Sequence, residues 1–252
     1  DVTSPGDLVS YDVFYLGVKH VHGGQTKVFG AHDHKSGLNW VKILPNETGD
    51  SIRDALAEFH NYCKSKGVTI KHIHTDNAKA HLSEQVISYV RDEIKARYTT
   101  IAPHVPRANG EMERQWRTMG NDAIRLLHNS TLPRNYAYYA LYQSVAVRNT
   151  LPCKHDLDSC PLSIFCGGKK PSAAHFRVFG CVVYAKIMLG RTSKMSNQAV
   201  RCVHLGPAPN QTGFLAEDPG TKRVYTILHG TFVETATPGL TVAREGWNEI
   251  VP

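Results

Sequence analysis

Near the start of the chain stands Leu8-Val9-Ser10-Tyr11-Asp12-Val13-Phe14-Tyr15-Leu16, an almost unbroken run of apolar, β-branched and aromatic residues. Such a run predicts a central strand that is buried on both faces. Asp12 is its one charged residue. An isolated carboxylate in such a strand is costly unless it is paired, bound to a metal or protonated. The pattern therefore predicts either a metal ligand or a buried salt bridge at Asp12.

The segments that follow this run have a regular order. Turns at Gly23-Gly24 and Ser36-Gly37 predict strands over 27–31 and 38–44. Helical spacing and stop signals predict helices over 51–66 (with Asp50 as N-cap), 82–96, 109–129 and 133–151, and strands over 68–75 and 98–102. A three-stranded meander followed by strand–helix alternation is the order of a ribonuclease-H-like mixed five-stranded sheet flanked by helices.

From Phe176 onward, short β-rich stretches alternate with Gly, Pro and Asn turns, which predicts a small SH3-like β-barrel. We therefore expect two domains, a core over 1–172 and a barrel over 173–252.

No apolar stretch is long enough to cross a bilayer, so no membrane partner is expected. The N-terminus does not resemble a signal peptide. Because the chain lacks a starting Met, it is expected to be a piece of a longer protein.

Charge favours an anionic partner. The chain has 29 Lys and Arg against 22 Asp and Glu, a net charge of +7, and nucleic acid is the commonest partner of such proteins. Many basic proteins bind no nucleic acid, so charge alone does not establish that the partner is nucleic acid.

The six cysteines form no CxxC pair and are expected to be free thiols in a reducing compartment. A zinc site at the pairs His32/His34 and His72/His74 is a weaker alternative, since no third ligand is evident.

Two further acids are candidates for the same chemistry as Asp12. Asp76 stands at the carboxyl end of the strand predicted over 68–75, where ligand sites gather in open α/β sheets. Its ordinary role would be a turn or helix cap, helped by Asn77. Glu113 lies in the first turn of a long helix, where it would ordinarily pair with Arg117 at i,i+4. The hypothesis of a site therefore depends on the three acids acting together.

Two segments resemble the core of copia-type LTR-retrotransposon integrases: Thr75-Asp76-Asn77 and Ala102-Pro103-His104-Val105-Pro106-Arg107-Ala108-Asn109-Gly110-Glu111-Met112-Glu113-Arg114. In that family an Asp-Asn pair is followed by Pro-x-x-Pro-x-x-Asn-Gly-x-x-Glu-Arg. Similar stretches follow at Leu132-Pro133, Asn149-Thr150-Leu151-Pro152, Gly168-Lys169-Lys170-Pro171, Phe176-Arg177-Val178-Phe179-Gly180-Cys181, Val203-His204-Leu205-Gly206 and Asp218-Pro219. The resemblance covers roughly residues 5–235.

The resemblance implies a DNA integrase, a polynucleotidyl transferase, with Asp12, Asp76 and Glu113 as a D,D,E triad. Glu113 follows Asn109-Gly110 at the same spacing as the Glu of the family motif. Glu111 is the second candidate for the third acid. Thirty-six residues separate Asp76 from Glu113, one more than is usual, and we expect the extra residue at 95–100. The triad would hold two Mg²⁺ (or Mn²⁺) ions, which prefer hard oxygen ligands.

The same resemblance implies partners and a place of action. The expected DNA-binding residues are Asn77, Arg107, Asn109, Arg114 and Arg117. The expected partners are retrotransposon cDNA ends, target DNA and further copies of the chain. The expected location is the nucleus, after a virus-like particle in the cytoplasm. A zinc-binding module would precede residue 1.

The chain departs from the family pattern at two places. Ala78-Lys79-Ala80-His81 replaces the usual Gly-x-Glu-Phe after the Asp-Asn pair, and the usual Trp is missing near Tyr136-Ala137. Neither change touches the triad. Two hypotheses follow: an active strand-transfer enzyme, which the three acids favour, or a diverged DNA-binding or assembly module without catalysis. A ribonuclease H or another transposase is a weaker third hypothesis, because the motifs after Pro133 argue against it.

Overall fold

The computed structural model describes residues 2–100, 110–152, 157–168, 170–186, 199–209 and 212–235. By its internal contacts the chain divides into two compact units: Asp1–Gly120 with Val145–Ala173, and Asn121–Ser144 with Ala174–Pro252. The expected division into a core over 1–172 and a barrel over 173–252 stays a prediction.

The first unit contains a mixed five-stranded sheet, as predicted. Its strands are β1 (Val9–Tyr15), β2 (Lys27–Asp33), β3 (Asn39–Leu44), β4 (His72–Thr75) and β5 (Arg97–Thr100). The strand order is β3-β2-β1-β4-β5, with β1, β2 and β3 antiparallel and β4 parallel to both β1 and β5. The expectation that β1 is buried on both faces is wrong for its second half, because residues 12–14 are only partly buried and Tyr15 is 60% exposed.

The described residues form five α-helices: α1 (Gly49–Ser65), α2 (Glu84–Ser88), α3 (Gly110–Ser130), α4 (Ala137–Thr150) and α5 (Pro161–Cys166). The N-cap of α1 is Thr48, not Asp50. The Thr48 hydroxyl accepts a hydrogen bond from the Ser51 amide at 3.4 Å, which leaves Asp50 in the first turn beside the positive end of the helix dipole. The helix predicted over 82–96 is a short α2 that continues into a π-helical turn, Tyr89–Ile94.

One face of the sheet packs against α1 to form the core of the first unit. Fully buried side chains of β1, β2 and β4 meet the apolar stripe of α1: Val9, Tyr11, Phe29, Ala31 and Ile73 from the strands, and Ile52, Leu56 and Phe59 from the helix. Each side chain of this size contributes about 1.5–3 kcal/mol when it leaves water. Because strand side chains alternate between faces, Ser10, Asp12 and Gly30 belong to the opposite face.

The second unit contains a separate antiparallel sheet. Its strands are β6 (Val182–Ala185), β7 (Val200–Pro207), β8 (Phe214–Glu217), β9 (Val224–Ile227) and β10 (Gly230–Val233), in the order β10-β6-β7-β8-β9. The two edge strands, β9 and β10, are joined by only two residues. This short link requires a strongly curled sheet, since it brings opposite edges close together. The SH3-like barrel stays a prediction.

Two simpler expectations concern membranes and thiols. None of the described helices combines the length and the apolar character needed to cross a bilayer. Free thiols are found at Cys63, Cys160, Cys166, Cys181 and Cys202. Cys153 lies outside the described residues.

Candidate metal centre

Strand register brings two of the predicted acids together. In the parallel pairing of β1 with β4, Ser10 lies opposite His74. Two residues further along each strand are Asp12 and Asp76. Both carboxylates therefore reach the same end of neighbouring strands and the same face of the sheet.

Asp76 uses one carboxylate oxygen to shape the chain after β4. Its Oδ1 accepts a hydrogen bond from the Ala78 amide at 3.0 Å and another from Nδ1 of His81 at 2.5 Å. Among the hydrogen bonds between described residues, those to Asp76 all reach Oδ1. Asp76 therefore does stabilise the turn after β4, as expected, but its Oδ2 atom stays available to bind a metal ion. The hydrogen bond from His81 holds the pKa of Asp76 below its usual range.

Asp12 lies in a more apolar setting than Asp76. Its Oδ1 accepts the Val13 amide at 2.7 Å. Burial, and to a lesser degree the neighbouring carboxylates of Asp76 and Glu113, raise the pKa of Asp12 to about 6. The alternative of a salt bridge at Asp12 is not seen among the described residues, where no ion pair involves Asp12 and His81 pairs with Asp76 instead.

Glu113 is placed by the packing of its own helix. Trp116, one turn further along α3, lies over Gly30, and a methyl group on Gly30 would collide with the indole ring. Gly30 pairs with Asp12 across β1 and β2. Phe14 holds the same indole with ring centroids 4.2 Å apart. The start of α3 therefore lies on the Asp12 face of the sheet, which explains why the charge of Glu113 reaches Asp12.

Within the described chain one group of side chains is suited to a metal ion. Asp12, Asp76 and His81 each offer a ligand atom, and the three atoms lie within 4.8 Å of one another. Glu113 is exposed and lies outside this group. No ion pair joins Glu113 to Arg117 among the described residues, so the ordinary role proposed for Glu113 is not seen there. A divalent cation fits this site, because each aspartate has an oxygen to offer and Asp12 lacks a neutralising charge.

The predicted DNA-binding residues are only partly described. Asn77 follows Asp76 and is exposed, and Arg114 and Arg117 are exposed on α3. Arg107, Asn109 and the side chain of Glu111 lie outside the described residues.

His81 was missed as a site residue. The sequence singled it out only as a departure, although a His five residues after Asp76, in place of an aromatic residue, was a usable signal.

Similarity to known proteins covers most of the chain. It is 27% identical over 214 residues to the retrovirus-related Pol polyprotein from transposon RE1 of Arabidopsis thaliana, covering 82% of this chain and 14% of that protein. It is 25% identical over 230 residues to the Pol polyprotein from transposon TNT 1-94 of Nicotiana tabacum, covering 91% of this chain and 17% of that protein. The chain thus spans about a sixth of these relatives. No family model matches it.

Similarity to solved structures concerns the fold. A chain of the simian T-cell lymphotropic virus intasome, solved by cryo-electron microscopy with PP2A regulatory subunit B56 gamma, aligns with a TM-score of 0.54 at 18% identity, covering 90% of this chain and 80% of that one. The HTLV-2 integrase catalytic core solved with magnesium aligns with a TM-score of 0.50 at 19% identity. The alignment covers 66% of this chain and 99% of that one. The homologues are therefore retrotransposon Pol polyproteins, and the five-stranded unit has the ribonuclease-H-like fold of retroviral integrase cores.

Proposed function

We propose that this chain is the catalytic core of a retrotransposon integrase, which inserts cDNA ends into target DNA. The observation that carries the proposal is the convergence of Asp12 and Asp76 on adjacent parallel strands, with Glu113 within electrostatic reach. Homology to retrotransposon Pol polyproteins over most of the chain supports the same conclusion.

The proposed mechanism is phosphodiester exchange at the two aspartates. Oδ2 of each aspartate and the Glu113 carboxylate would hold Mg²⁺ or Mn²⁺, two ions in all. When bound, these ions would activate the attacking oxygen and stabilise the leaving oxygen of the displacement. Asp12 and Asp76 would hold negative charge side by side, with Glu113 within electrostatic reach of Asp12, and bound cations would offset this repulsion. No protein nucleophile is needed, because water attacks in end trimming and a DNA 3′-hydroxyl attacks in strand transfer.

Exposed polar and basic residues near the acids would contact DNA. Arg114 and Arg117 follow Glu113 on α3, and Asn77 follows Asp76. These side chains would contact phosphates, together with Arg107 and Asn109. Intasome and oligomeric integrase structures among the fold relatives support self-association of this chain. Insertion into chromosomal DNA would take place in the nucleus.

Strand transfer of a labelled DNA end into a plasmid tests the proposal. The 252-residue chain is assayed with Mg²⁺ or Mn²⁺ and compared with Asp12→Asn, Asp76→Asn and Glu113→Gln. Each of these variants is expected to abolish joining. Glu111→Gln is the matched control, since it makes the same chemical change two residues away and is expected to join DNA.

Two outcomes would change the assignment. If Glu111→Gln abolishes joining and Glu113→Gln retains it, the third acid is Glu111. If the unaltered chain binds DNA with either ion present and joins none, the DNA-binding or assembly module becomes the better description of this chain.

A further inference from the structure

The ring of His81 lies beneath the candidate metal centre. Its side chain is only 1% exposed. Nδ1 lies 2.5 Å from Oδ1 of Asp76 and 3.0 Å from the Thr75 hydroxyl. The ring also meets that of Tyr11 edge to face, with centroids 5.1 Å apart. Among the described residues, the Ala78 backbone amide is the other donor to the Asp76 carboxylate, and His81 is the side chain that donates to it.

Hydrogen-bond geometry determines which nitrogen of His81 carries the proton. The Thr75 hydroxyl lies 3.1 Å from the Tyr11 carbonyl oxygen, to which it donates its hydrogen. The hydroxyl oxygen of Thr75 and the carboxylate of Asp76 are therefore both acceptors toward Nδ1. Two acceptors around one ring nitrogen require an N–H there. In the neutral ring, Nε2 is then unprotonated, and it has no hydrogen-bond partner among the described residues.

The backbone of His81 is held as firmly as its ring. Tyr98 donates its hydroxyl to the His81 carbonyl oxygen at 2.8 Å. Tyr11 in turn lies 2.7 Å from the Tyr98 hydroxyl. Because Tyr98 uses its hydrogen on His81, Tyr11 is the donor in that second bond. The buried Tyr11 and the half-buried Tyr98 thereby help to fix the position of His81 relative to Asp76.

We infer that His81 is a positioning residue, whose Nδ1–H fixes the rotation of the Asp76 carboxylate so that Oδ2 faces Asp12 and the metal. The inference rests on the proposed function. A direct ligand role for Nδ1 does not fit the same geometry, because two atoms bound to one ion repel each other at 2.5 Å unless a hydrogen lies between them. Hydrogen bonds from outside the ligand shell orient metal ligands, and their loss costs roughly 10- to 100-fold in affinity.

Two variants of His81 test this role. His81→Phe keeps a ring against Tyr11 and removes the N–H. His81→Asn keeps an N–H donor close to the position of Nδ1. Affinities for Mn²⁺, followed by electron paramagnetic resonance, and for Co²⁺, followed by its absorption spectrum, are measured on the whole chain without DNA. Asp76→Asn marks the loss of the site, and thermal denaturation checks that each variant is folded.

The expected result is a loss of about tenfold or more for both ions with His81→Phe, and affinities within about threefold of the unaltered chain with His81→Asn. Equal affinities for His81→Phe and the unaltered chain would overturn the inference, and so would the absence of any bound Mn²⁺ in the unaltered chain. A loss that is much larger for Co²⁺ than for Mn²⁺ would also overturn it, because imidazole ligation favours Co²⁺.

DNA joining by the same proteins separates this inference from the proposed function. Metal binding that depends on His81, without joining by the unaltered chain, leaves the positioning role standing and removes the integrase assignment. Joining that is equal in His81→Phe and the unaltered chain, with equal metal affinities, leaves the integrase assignment standing and removes the positioning role.

Discussion

The indole ring of Trp116 occupies the space that a side chain on Gly30 would fill. Gly30 lies directly across from Asp12 in the pairing of β1 with β2. Trp116 lies one helical turn after Glu113, so the contact fixes the start of α3 over the aspartates. A residue with no side chain thus helps to bring the third acid toward the other two.

Gly30→Ala is expected to displace Trp116 and to lower both stability and DNA joining. Overpacking of this kind costs about 1–3 kcal/mol, and the shift of α3 would move Glu113 away from Asp12. Urea denaturation and the strand-transfer assay measure the two effects. Gly120→Ala is the control, because nothing lies within 4 Å of an added methyl there, and it should raise stability by about 0.5–1 kcal/mol. Full joining by Gly30→Ala would show that the contact does not place Glu113.

Asp12→Asn is expected to stabilise the metal-free chain at neutral pH. Folding raises the pKa of Asp12 from 3.8 to about 6, so the folded chain binds a proton more tightly than the unfolded chain. The free energy of unfolding therefore decreases as pH rises from about 4 to about 6. Asn cannot ionise and avoids this loss, which partial exposure limits to about 1–3 kcal/mol.

Urea denaturation in EDTA at pH 4 and pH 7.5 measures this effect. The two proteins should differ little at pH 4, and Asp12→Asn should be the more stable at pH 7.5. Millimolar Mn²⁺ should then stabilise the unaltered chain more than the variant, since only the folded site binds the ion. The exposed Asp54→Asn is the control and should show neither effect. A variant less stable than the unaltered chain at pH 7.5 would contradict the burial argument.

The sequence was sufficient for the sheet and for the pairing of the two aspartates. The apolar run around Asp12 and the position of Asp76 at a strand end both follow from local patterns, and the strand register then sets them side by side. Glu113 as the third acid stays a prediction, since it lies outside the group suited to a metal.

The sequence marks His81 as unusual but does not show its contact with Asp76. Its role depends on a turn after β4 that folds the ring back under Asp76, and no local pattern encodes that contact. The π-helical turn Tyr89–Ile94 was missed for a related reason, because six residues are too few for apolar spacing to distinguish a π-helix from an α-helix. A π-helical turn holds one residue more than an α-helical turn. It lies just before 95–100, where the extra residue between Asp76 and Glu113 was expected.

Asn149→Asp is expected to destabilise the first unit. The Asn149 side chain accepts the Asn39 amide at 3.0 Å and donates to the Asn39 carbonyl oxygen at 2.7 Å. It thereby satisfies both backbone groups of the first residue of β3. A carboxylate would place an oxygen against that carbonyl, at a cost of about 1–3 kcal/mol. Urea denaturation measures the loss. The exposed Asn61→Asp on α1 is the matched control, and an equal loss in both variants would mean that the paired hydrogen bonds contribute nothing.

Acid is expected to destabilise the second unit through His204. This residue is 1% exposed, donates from Nδ1 to the Val178 carbonyl oxygen at 3.1 Å, and packs edge to face against the rings of Phe214 and Phe232. Burial lowers its pKa from 6.5 to about 4. The unfolded chain therefore takes up a proton at a higher pH than the folded chain. Stability is full above pH 6.5 and falls by about 3 kcal/mol as pH decreases to 4.

His204→Asn tests this source of acid sensitivity, because Asn keeps a donor for Val178 and cannot ionise between pH 4 and 7. Urea midpoints measured from pH 7 to pH 4 should fall less steeply for this variant than for the unaltered chain. The exposed His229→Asn removes a histidine from the same unit and should leave the slope unchanged. If the urea midpoint of His204→Asn falls with pH as steeply as that of the unaltered chain, the buried imidazole contributes nothing to the difference in proton uptake between the folded and unfolded chains. The acid sensitivity of this unit would then come from other groups.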